Sequence, residues 1–529
     1  MPVLTAQNLS YQFADGDIIF QDINCTINHP RIGLVGKNGA GKSILAKLLA
    51  KQLTPTRGSV NCKMQIGFFD QHSEQQLDDS TTIAQLLGYE RVLQALEKIA
   101  QGDFEQALFD TADQQWQLPE TFSQQLKAMG LPDDHHILCS QLSGGQLARL
   151  RLWQLFNSDA KLLILDEPSN HLDTDGQCWL LEQLALFQGH VLLISHDYTL
   201  LQYVTHIWEL SELGLKQYGT NFDNFLVQKD TEQRALSSQI HTVRKQQLEV
   251  QKQAQLNRQK AQKRAAQGNK LRASTSQAKV LLNSKKDSAT ASLSSSQKNQ
   301  QQRQKKLSEK YTQLRLKQQQ HQYQRFYLGN IAKADISKRS LVSVQNLTLP
   351  FGQQNEFSFT IYQQQKWQIK GANGCGKSTL LKVLLKQLSP STGSVTINTA
   401  LSYIDQHFTH LEPYLSPLQT LLQRCPHLTK SLAHTLLAAI GLKNSKANQT
   451  VTSLSGGEKM KLSMLCASQQ QPTPLLLLDE PDNHLDFESK QQLAHALFEY
   501  QGSFLVISHN PHFIASLGIT HELALDIEK

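Results

Sequence analysis

Short apolar runs bounded by polar and glycine residues open the chain at about Leu4–Leu9, Ile18–Phe20 and Ile32–Val35. Runs of that length predict strands. The third leads into a glycine-rich stretch, after which Ser43–Leu53 carries apolar residues at helical spacing. The same succession returns late in the chain, with Trp367–Lys370 before a glycine-rich stretch and Leu380–Leu388 after it. Leu162–Leu165 and Leu475–Leu478 are apolar at every position, the pattern of central strands in a sheet covered on both faces. Val191–Ile194 and Phe504–Ile507 are further apolar strands. Each end of the chain therefore reads as an α/β domain.

The middle has a different pattern. From Phe225 to Ala266 there is no proline or glycine, and good helix formers surround sparse apolar residues such as Val243, Leu248, Val250 and Leu256. A break is expected at Gly268-Asn269 and through the serine-rich Asn283–Ser296, with a second helix over about Gln297–Tyr327 carrying Leu307, Tyr311, Leu314 and Arg325. Two such helices form an αα-hairpin whose arms of about 30–40 residues reach roughly 45–60 Å. The competing reading is disorder, because Gln-rich sequence with few core residues buries little surface.

Composition sharpens this division. A chain of 529 residues with 39% hydrophobic content has material for two to four domains with real cores. No apolar run approaches the roughly 18 residues of a membrane span. The start, Met1-Pro2-Val3-Leu4-Thr5-Ala6-Gln7-Asn8, lacks the basic-then-apolar pattern of a secretory signal, so a cytoplasmic protein is expected. The 7 cysteines are odd in number and without C-x-x-C spacing, so neither disulfides nor zinc sites are expected. Lys229–Arg339 holds 25 Lys/Arg against 6 Asp/Glu, a net +19, which leaves −12 on the rest of a chain whose total is +7. A basic segment between acidic lobes points to a polyanion, most often nucleic acid. The alternative is a solvated linker extended by self-repulsion.

The glycine-rich stretches carry the chemistry. Gly36-Lys37-Asn38-Gly39-Ala40-Gly41-Lys42-Ser43 and, 335 residues later, Gly371-Ala372-Asn373-Gly374-Cys375-Gly376-Lys377-Ser378-Thr379 both fit G-x-x-x-x-G-K-[ST]. In that motif backbone N–H groups cradle phosphates, the lysine reaches the β/γ oxygens and the hydroxyl binds Mg²⁺. Around them the whole neighbourhood is duplicated. Leu142-Ser143-Gly144-Gly145-Gln146 returns as Leu454-Ser455-Gly456-Gly457-Glu458, and Leu165-Asp166-Glu167-Pro168 as Leu478-Asp479-Glu480-Pro481. Ser169-Asn170-His171-Leu172-Asp173 matches Asp482-Asn483-His484-Leu485-Asp486, Ile194-Ser195-His196 matches Ile507-Ser508-His509, and Phe69-Asp70-Gln71 matches Ile404-Asp405-Gln406. Two copies of one nucleotide-binding domain make up most of the chain. The offset falls from 335 at the glutamines to 312 at the signatures, so the first copy carries 23 extra residues between them.

This set resembles the ATP-binding cassette superfamily, whose mark is the Leu-Ser-Gly-Gly signature. The Asn-His-Leu-Asp step after each Asp-Glu-Pro is similar to the ABC-F branch, in which twin cassettes share one polypeptide. The resemblance implies an α/β fold of two tandem ATP-binding cassette (P-loop NTPase) domains joined by a long basic α-helical hairpin linker: cassettes over 1–225 and 340–529, and a linker over 226–339. A short arm, a helical hairpin somewhere within about 89–121, is implied in the first cassette.

For the sites it implies two ATP molecules, each with Mg²⁺. Lys42 and Lys377 contact the phosphates, Ser43, Asp166 and Gln71 hold one Mg²⁺, and Ser378, Asp479 and Gln406 hold the other. Glu167 and Glu480 are the implied general bases, and His196 and His509 the switch histidines that touch the γ-phosphate. Signatures serve the opposite copy, so Ser455, Gly456 and Gly457 complete the Lys42 site while Ser143, Gly144 and Gly145 complete the Lys377 site. Phe13 and Phe351 stand where an aromatic ring usually stacks on adenine, with Tyr11 an alternative in the first copy and a core role an alternative for both rings. Ile44 replaces the second hydroxyl that Thr379 supplies, and Asn510-Pro511 stands where the first copy has Asp197; neither change removes a catalytic group, so both sites are expected to hydrolyse ATP.

The linker holds the position that in ABC-F proteins enters the ribosomal tRNA exit site. The resemblance thus implies a monomeric ATPase, its two cassettes pairing within the chain, that acts on the ribosome through rRNA and tRNA as a translation factor, with room for antibiotic-resistance ribosome protection. A DNA-binding repair ATPase and the motor of a transporter are the alternatives.

Overall fold

The computed structural model describes residues 2–529 except 71–79, 114, 132, 171, 212, 274–297, 299–300, 316–325, 327–339, 353–354, 373, 406, 444, 484 and 526–529. In the first copy the elements run β1 (Leu4–Gln12), β2 (Ile18–Ile27), β3 (Arg31–Gly36), α1 (Lys42–Leu49), β4 (Arg57–Cys62), β5 (Ile66–Phe69), α2 (Ile83–Leu87), α3 (Glu90–Ala100), α4 (Gln106–Ala112) and α5 (Leu118–Ala128). They continue through α6 (Gly144–Phe156), β6 (Leu162–Asp166), α7 (Thr174–Leu186), β7 (His190–Ile194), α8 (Tyr198–Leu201), β8 (His206–Ser211) and β9 (Gly214–Tyr218). The main sheet has the order β5-β6-β7-β3-β8-β9, parallel except for β9 at one edge. A smaller antiparallel sheet, β2-β1-β4, packs its apolar face with α1 against one side of the main sheet.

Apolar content places the strands. Leu162, Leu163, Ile164 and Leu165 of β6 are fully buried, as strands covered on both faces must be. Truncating such a residue, for example Ile164→Ala, costs about 2–5 kcal/mol. The insertion in the first copy folds as α3 and α4, with α5 beyond them; α3 and α5 pack with α2 around Leu87, Leu93, Phe122, Leu126 and Leu131.

The middle of the chain is a separate unit. The molecule divides into Met1–Phe222 together with Gln324–Lys529, which form one unit, and Asp223–Tyr323, the other. The second unit is two helices, α9 (Phe222–Ala273) and α10 over 301–315. Gln246, Glu249, Val250 and Gln253 of α9 and Arg303, Lys306, Leu307 and Lys310 of α10 line one groove, so the helices lie side by side as a hairpin. Two expectations are corrected. The helix does not break at Gly268-Asn269: α9 continues to Ala273, 52 residues or about 78 Å. A single glycine costs about 1 kcal/mol in a helix interior, too little to end one this long. Nor does the second helix reach Tyr327 unbroken, because Phe326 is non-helical and buried in the core of the second copy, where Lys461 lies over its ring at 5.6 Å. The Asn283–Ser296 turn lies outside the described residues.

The second copy repeats the first. Its elements are β10 (Ser340–Thr348), β11 (Phe357–Tyr362), β12 (Lys366–Lys370), α11 (Lys377–Leu384), β13 (Thr392–Ile397), β14 (Leu401–Ile404), α12 (Pro417–Arg424), α13 (Lys430–Ala439) and α14 (Ser445–Asn448). They end with α15 (Gly456–Gln469), β15 (Leu475–Asp479), α16 (Phe487–Glu499), β16 (Phe504–Ile507), α17 (Pro511–Ala515) and β17 (His521–Ala524). Its main sheet, β14-β15-β16-β12-β17, is parallel throughout, beside an antiparallel β11-β10-β13. All 7 cysteines are free, and no helix among the described residues is long and apolar enough to cross a membrane.

Candidate functional site

Parallel register brings the motifs together. Leu34 of β3 and Asp166 of β6 both pair with Ile194 of β7, so the phosphate loop after β3, Asp166-Glu167 after β6 and His196 after β7 share the carboxyl edge of one sheet. In open α/β sheets ligands bind at that edge. Asp479 pairs with Ile507 in the same way and sets Glu480 beside His509.

Glycine is required where the loop begins. Gly36 has φ 157°, and a Cβ there would lie 2.4 Å from the Leu210 carbonyl oxygen. Gly41 and Gly376, both left-handed, cap α1 and α11 and turn Lys42 and Lys377 back over the loops. Lys42 Nζ donates to the carbonyls of Gly36 at 3.0 Å and Lys37 at 3.3 Å; Lys377 Nζ does the same to Gly371 at 2.7 Å and Ala372 at 2.9 Å. Each ammonium thus lies folded along its own loop, where a phosphate would compete for it. Gly39 and Gly374 have open space beside them.

The carboxylates are buried. Ser43 donates its hydroxyl hydrogen bond to Asp166, whose Oδ1 stays buried without a hydrogen-bond partner among the described residues. Ser378 serves Asp479 likewise, and Tyr403 Oη also donates to Asp479 Oδ2 at 3.1 Å. A hydroxyl beside a carboxylate with an unspent oxygen is a donor set suited to a hard cation such as Mg²⁺. Gln71, Gln406 and Asn373 lie outside the described residues.

Glu167 and Glu480 both sit at φ 49°, in the left-handed region that costs a non-glycine residue roughly 1–2 kcal/mol. Their backbone N–H groups donate to Ile194 O and Ile507 O at 2.9 Å, which fixes the turn. Burial, opposed by Lys42, pushes the Glu167 carboxyl up to about 7. Burial and the neighbouring Asp479 push Glu480 up to about 7 as well. His196 Nε2 lies 3.5 Å from Glu167 Oε1, and His509 Nε2 lies 3.7 Å from Glu480 Oε1. Burial and the adjacent lysine ammonium hold His196 well below the ordinary histidine range and His509 down to about 4, so both rings are neutral at pH 7. The Asn483 side-chain amide donates to Glu480 Oε2.

Ser143 and Ser455 are the N-caps of α6 and α15, each accepting from the N–H of the third helical residue in a capping box with Gln146 or Glu458. Phe13 and Phe351 are exposed, 41% and 69%, which excludes the core reading of these rings; Tyr11 packs edge-on to Phe13 at 5.7 Å. A Cβ on Gly376 would come within 3.0 Å of the Phe351 carbonyl oxygen, which sets the backbone at Phe351 against the second loop.

The copies meet head to tail. Asn38 N–H of the first loop donates to Asp486 Oδ2 of the second copy at 3.4 Å. Burial lowers the Lys42 ammonium, against the pull of Glu167, Asp486 and Asp166. Reciprocally, Asp173 of the first copy is among the carboxylates that oppose the lowering of Lys377, and Asp173 and Asp175 line a cavity of about 500 Å³ with Gly371, Lys377 and His509. The repeated Asn-His-Leu-Asp step marks Asp173 and Asp486 in the sequence but says nothing of which copy they face. Two residues have no sequence signal. Tyr403 is one; Lys490 of α16 is the other, sharing a cavity of about 440 Å³ with His196 and bearing on both Glu167 and His196 from the opposite copy. The first copy has Gln177 at the position of Lys490.

The ABC transporter family profile matches residues 20–170 and 354–483. The ATP-binding protein YdiF of Bacillus subtilis (strain 168) is 32% identical over 553 residues, 97% of this chain and 78% of that protein. The ribosome protection protein VmlR of the same organism is 29% identical over 531 residues, 97% of this chain and 85% of VmlR. Among solved structures, the archaeal ribosome recycling factor aABCE1 in complex with the ribosomal stalk protein aP1 superimposes with a TM-score of 0.56 at 16% identity, covering 96% of this chain and 86% of that one, a likeness of fold alone.

Proposed function

From the premise that this chain belongs to the ATP-binding cassette family, as a tandem-cassette ATPase of the ABC-F branch, we propose that it binds the ribosome in its ATP-closed form and modulates translation from the cytoplasm. The observation that carries this reading is the match to VmlR, which spans 97% of this chain and so includes the basic segment between the cassettes. The net +19 of Lys229–Arg339 supplies the chemistry for rRNA and tRNA phosphates. Protection against an antibiotic, the role in VmlR's name, is the finer form of the proposal.

The same proposal assigns the site. Lys42 and Lys377, with the loop N–H groups, hold the β/γ-phosphates; Ser43 with Asp166 and Ser378 with Asp479 hold Mg²⁺, joined by Gln71 and Gln406. Bound there, Mg²⁺ neutralises charge on the phosphates. Glu167 and Glu480 take a proton from the attacking water, with pKa values near the working pH as a general base requires. Neutral His196 and His509 orient that water and the γ-phosphate. Asp486 and Asp173 lock each loop from the opposite copy, and the signature helices, whose N–H ends favour anions, complete each site in trans. Phe13 and Phe351 stack on adenine.

The test is the double variant Glu167→Gln/Glu480→Gln. It should bind ATP, release phosphate at a small fraction of the wild-type rate, and sediment with ribosomes in the presence of ATP. Wild-type turnover in this variant defeats the base assignment. Tight binding to DNA junctions without ribosome association defeats the ribosomal reading in favour of DNA maintenance, and recovery with a membrane protein favours a transporter motor.

A further inference from the structure

Outside the nucleotide sites, three ligand-type atoms converge where the insertion of the first copy meets the segment before the first signature. His135 Nε2 and His136 Nε2 lie 2.9 Å and 3.0 Å from the same oxygen, Glu97 Oε1. All three atoms fall within 4.8 Å of one another. Glu97 comes from α3, whereas the histidines come from the segment that leads through Cys139–Gln141 to the first signature.

The histidine segment is held from both sides. Ala84 N–H donates to His135 O at 3.2 Å, Ile83 N–H to Ile137 O at 3.1 Å, and His136 N–H to Asp134 Oδ1 at 2.9 Å. The His135 ring stands edge-on to Phe122 at 6.4 Å. Two adjacent histidines ordinarily point apart, yet these two rings lie 4.2 Å apart at 36° and address one carboxylate. Phe122 and the backbone pairs thus fix the His135 ring and the backbone of the histidine segment before any ligand arrives.

We propose that Glu97, His135 and His136 bind a zinc-class divalent cation, with a water as fourth ligand, and that the cation ties α3 to the approach to the first signature helix. Two imidazoles and one carboxylate are the donor set of three-ligand zinc sites, with ligand bonds of about 2.0–2.2 Å. A tetrahedral ion with such bonds separates its ligand atoms by about 3.3 Å, so the contacts of 2.9 and 3.0 Å need open by only a few tenths of an ångström. The imidazoles bind as neutral rings through Nε2, with the remaining proton on Nδ1. No cysteine takes part, so the absence of C-x-x-C spacing does not bear on this site. Nitrogen donors disfavour Mg²⁺, a hard cation that prefers oxygen.

The experiment is calorimetric titration of the chelator-stripped full-length chain with Zn²⁺, without nucleotide and in excess Mg²⁺. The wild type should take up a zinc equivalent that Glu97→Gln and His136→Asn each lose or bind at least 10-fold more weakly, since even an outer-shell partner is worth roughly 10–100-fold. His427→Asn, at an exposed histidine elsewhere, should retain it. His136 is 58% exposed, so its variant keeps the fold, and unchanged circular dichroism checks this. Co²⁺ should show the absorption of a tetrahedral nitrogen–oxygen site in the wild type and not in Glu97→Gln. Equal zinc stoichiometry and affinity in wild type and both ligand variants overturns the proposal, as does zinc bound no more tightly than Mg²⁺.

Discussion

At the scale of single residues, the two proposed bases and the two histidines beside them answer differently to pH. Burial raises both glutamates to about 7 and lowers His509 to about 4, with His196 also well below its ordinary range. Proton abstraction needs the carboxylate, so kcat/KM should rise with pH through a midpoint near 7, because that ratio reports the free enzyme. A midpoint near 4 would instead assign the limb to a histidine. For stability the sign is opposite: a carboxyl with a raised folded-state pKa favours the folded state while protonated, and that contribution is lost as pH climbs from the ordinary carboxylate range through 7. Lys490 offers a second test. It adds positive charge to the Glu167 and His196 site from the opposite copy, and Gln177 supplies none at the equivalent place. Lys490→Gln should therefore raise the midpoint of turnover at the Lys42 site, measured with the other base disabled by Glu480→Gln, and leave the Lys377 site unchanged when Glu167→Gln is used instead. These residues divide what the sequence could tell. Lys42, Asp166, Glu167 and His196 are legible because each belongs to a motif with its own spacing. Tyr403 and Lys490 act through folded proximity alone, which no spacing encodes.

Elements show the same division. Strand, phosphate loop and helix follow directly from apolar runs and from glycines whose backbone no other residue fits, so β3 and α1, or β12 and α11, are readable from sequence. The end of α9 is not, because Gly268 is a local penalty of about 1 kcal/mol set against a 52-residue helix. Phe326 departs from helix because the core of the second copy offers its ring burial, a tertiary effect. The signature helices give a prediction at this scale. Ser143 caps α6 within its own copy, so Ser143→Ala should cost about 1 kcal/mol of stability. Head-to-tail pairing, visible in the hydrogen bond from Asn38 to Asp486, adds a directional consequence. With the first loop disabled by Lys42→Ala, Ser143→Ala should weaken the remaining ATP binding at Lys377; with Lys377→Ala it should leave binding at Lys42 nearly intact. Fluorescent-nucleotide titrations of the two double variants measure this, and the reverse order would mean that each signature serves its own copy.

For the whole molecule the distribution of charge is the governing quantity. Lobes that sum to −12 carry a net charge that repels a polyanion, whereas the segment Lys229–Arg339 carries +19, so that segment is where the proposed phosphate binding is expected. Glu249 and its neighbours Arg303, Lys306 and Lys310 on the groove between α9 and α10 show how the hairpin presents this charge, with cations outnumbering acids along the paired helices. Binding by such a surface releases condensed counterions and depends steeply on salt. The Glu167→Gln/Glu480→Gln variant in ATP should thus lose about 10³–10⁵ in ribosome affinity between 50 and 200 mM salt if it touches 6–10 phosphates. Deleting Gly268–Ser296 removes Lys270, Arg272, Lys279, Lys285 and Lys286 against the single acid Asp287, a reduction of 4 in net charge, while leaving every cassette motif in place. Basal ATPase should stay near wild type, ribosome affinity should fall, and the slope of log affinity against log salt should become shallower, by up to about 0.9 for each phosphate that the shortened hairpin no longer neutralises on duplex-like nucleic acid. Quantitative co-sedimentation across a salt series provides both numbers. A slope unchanged by the deletion would place the phosphate-binding groups elsewhere, on the cassettes or on the remaining arms of the hairpin, and would remove this stretch from the proposed ribosomal interface.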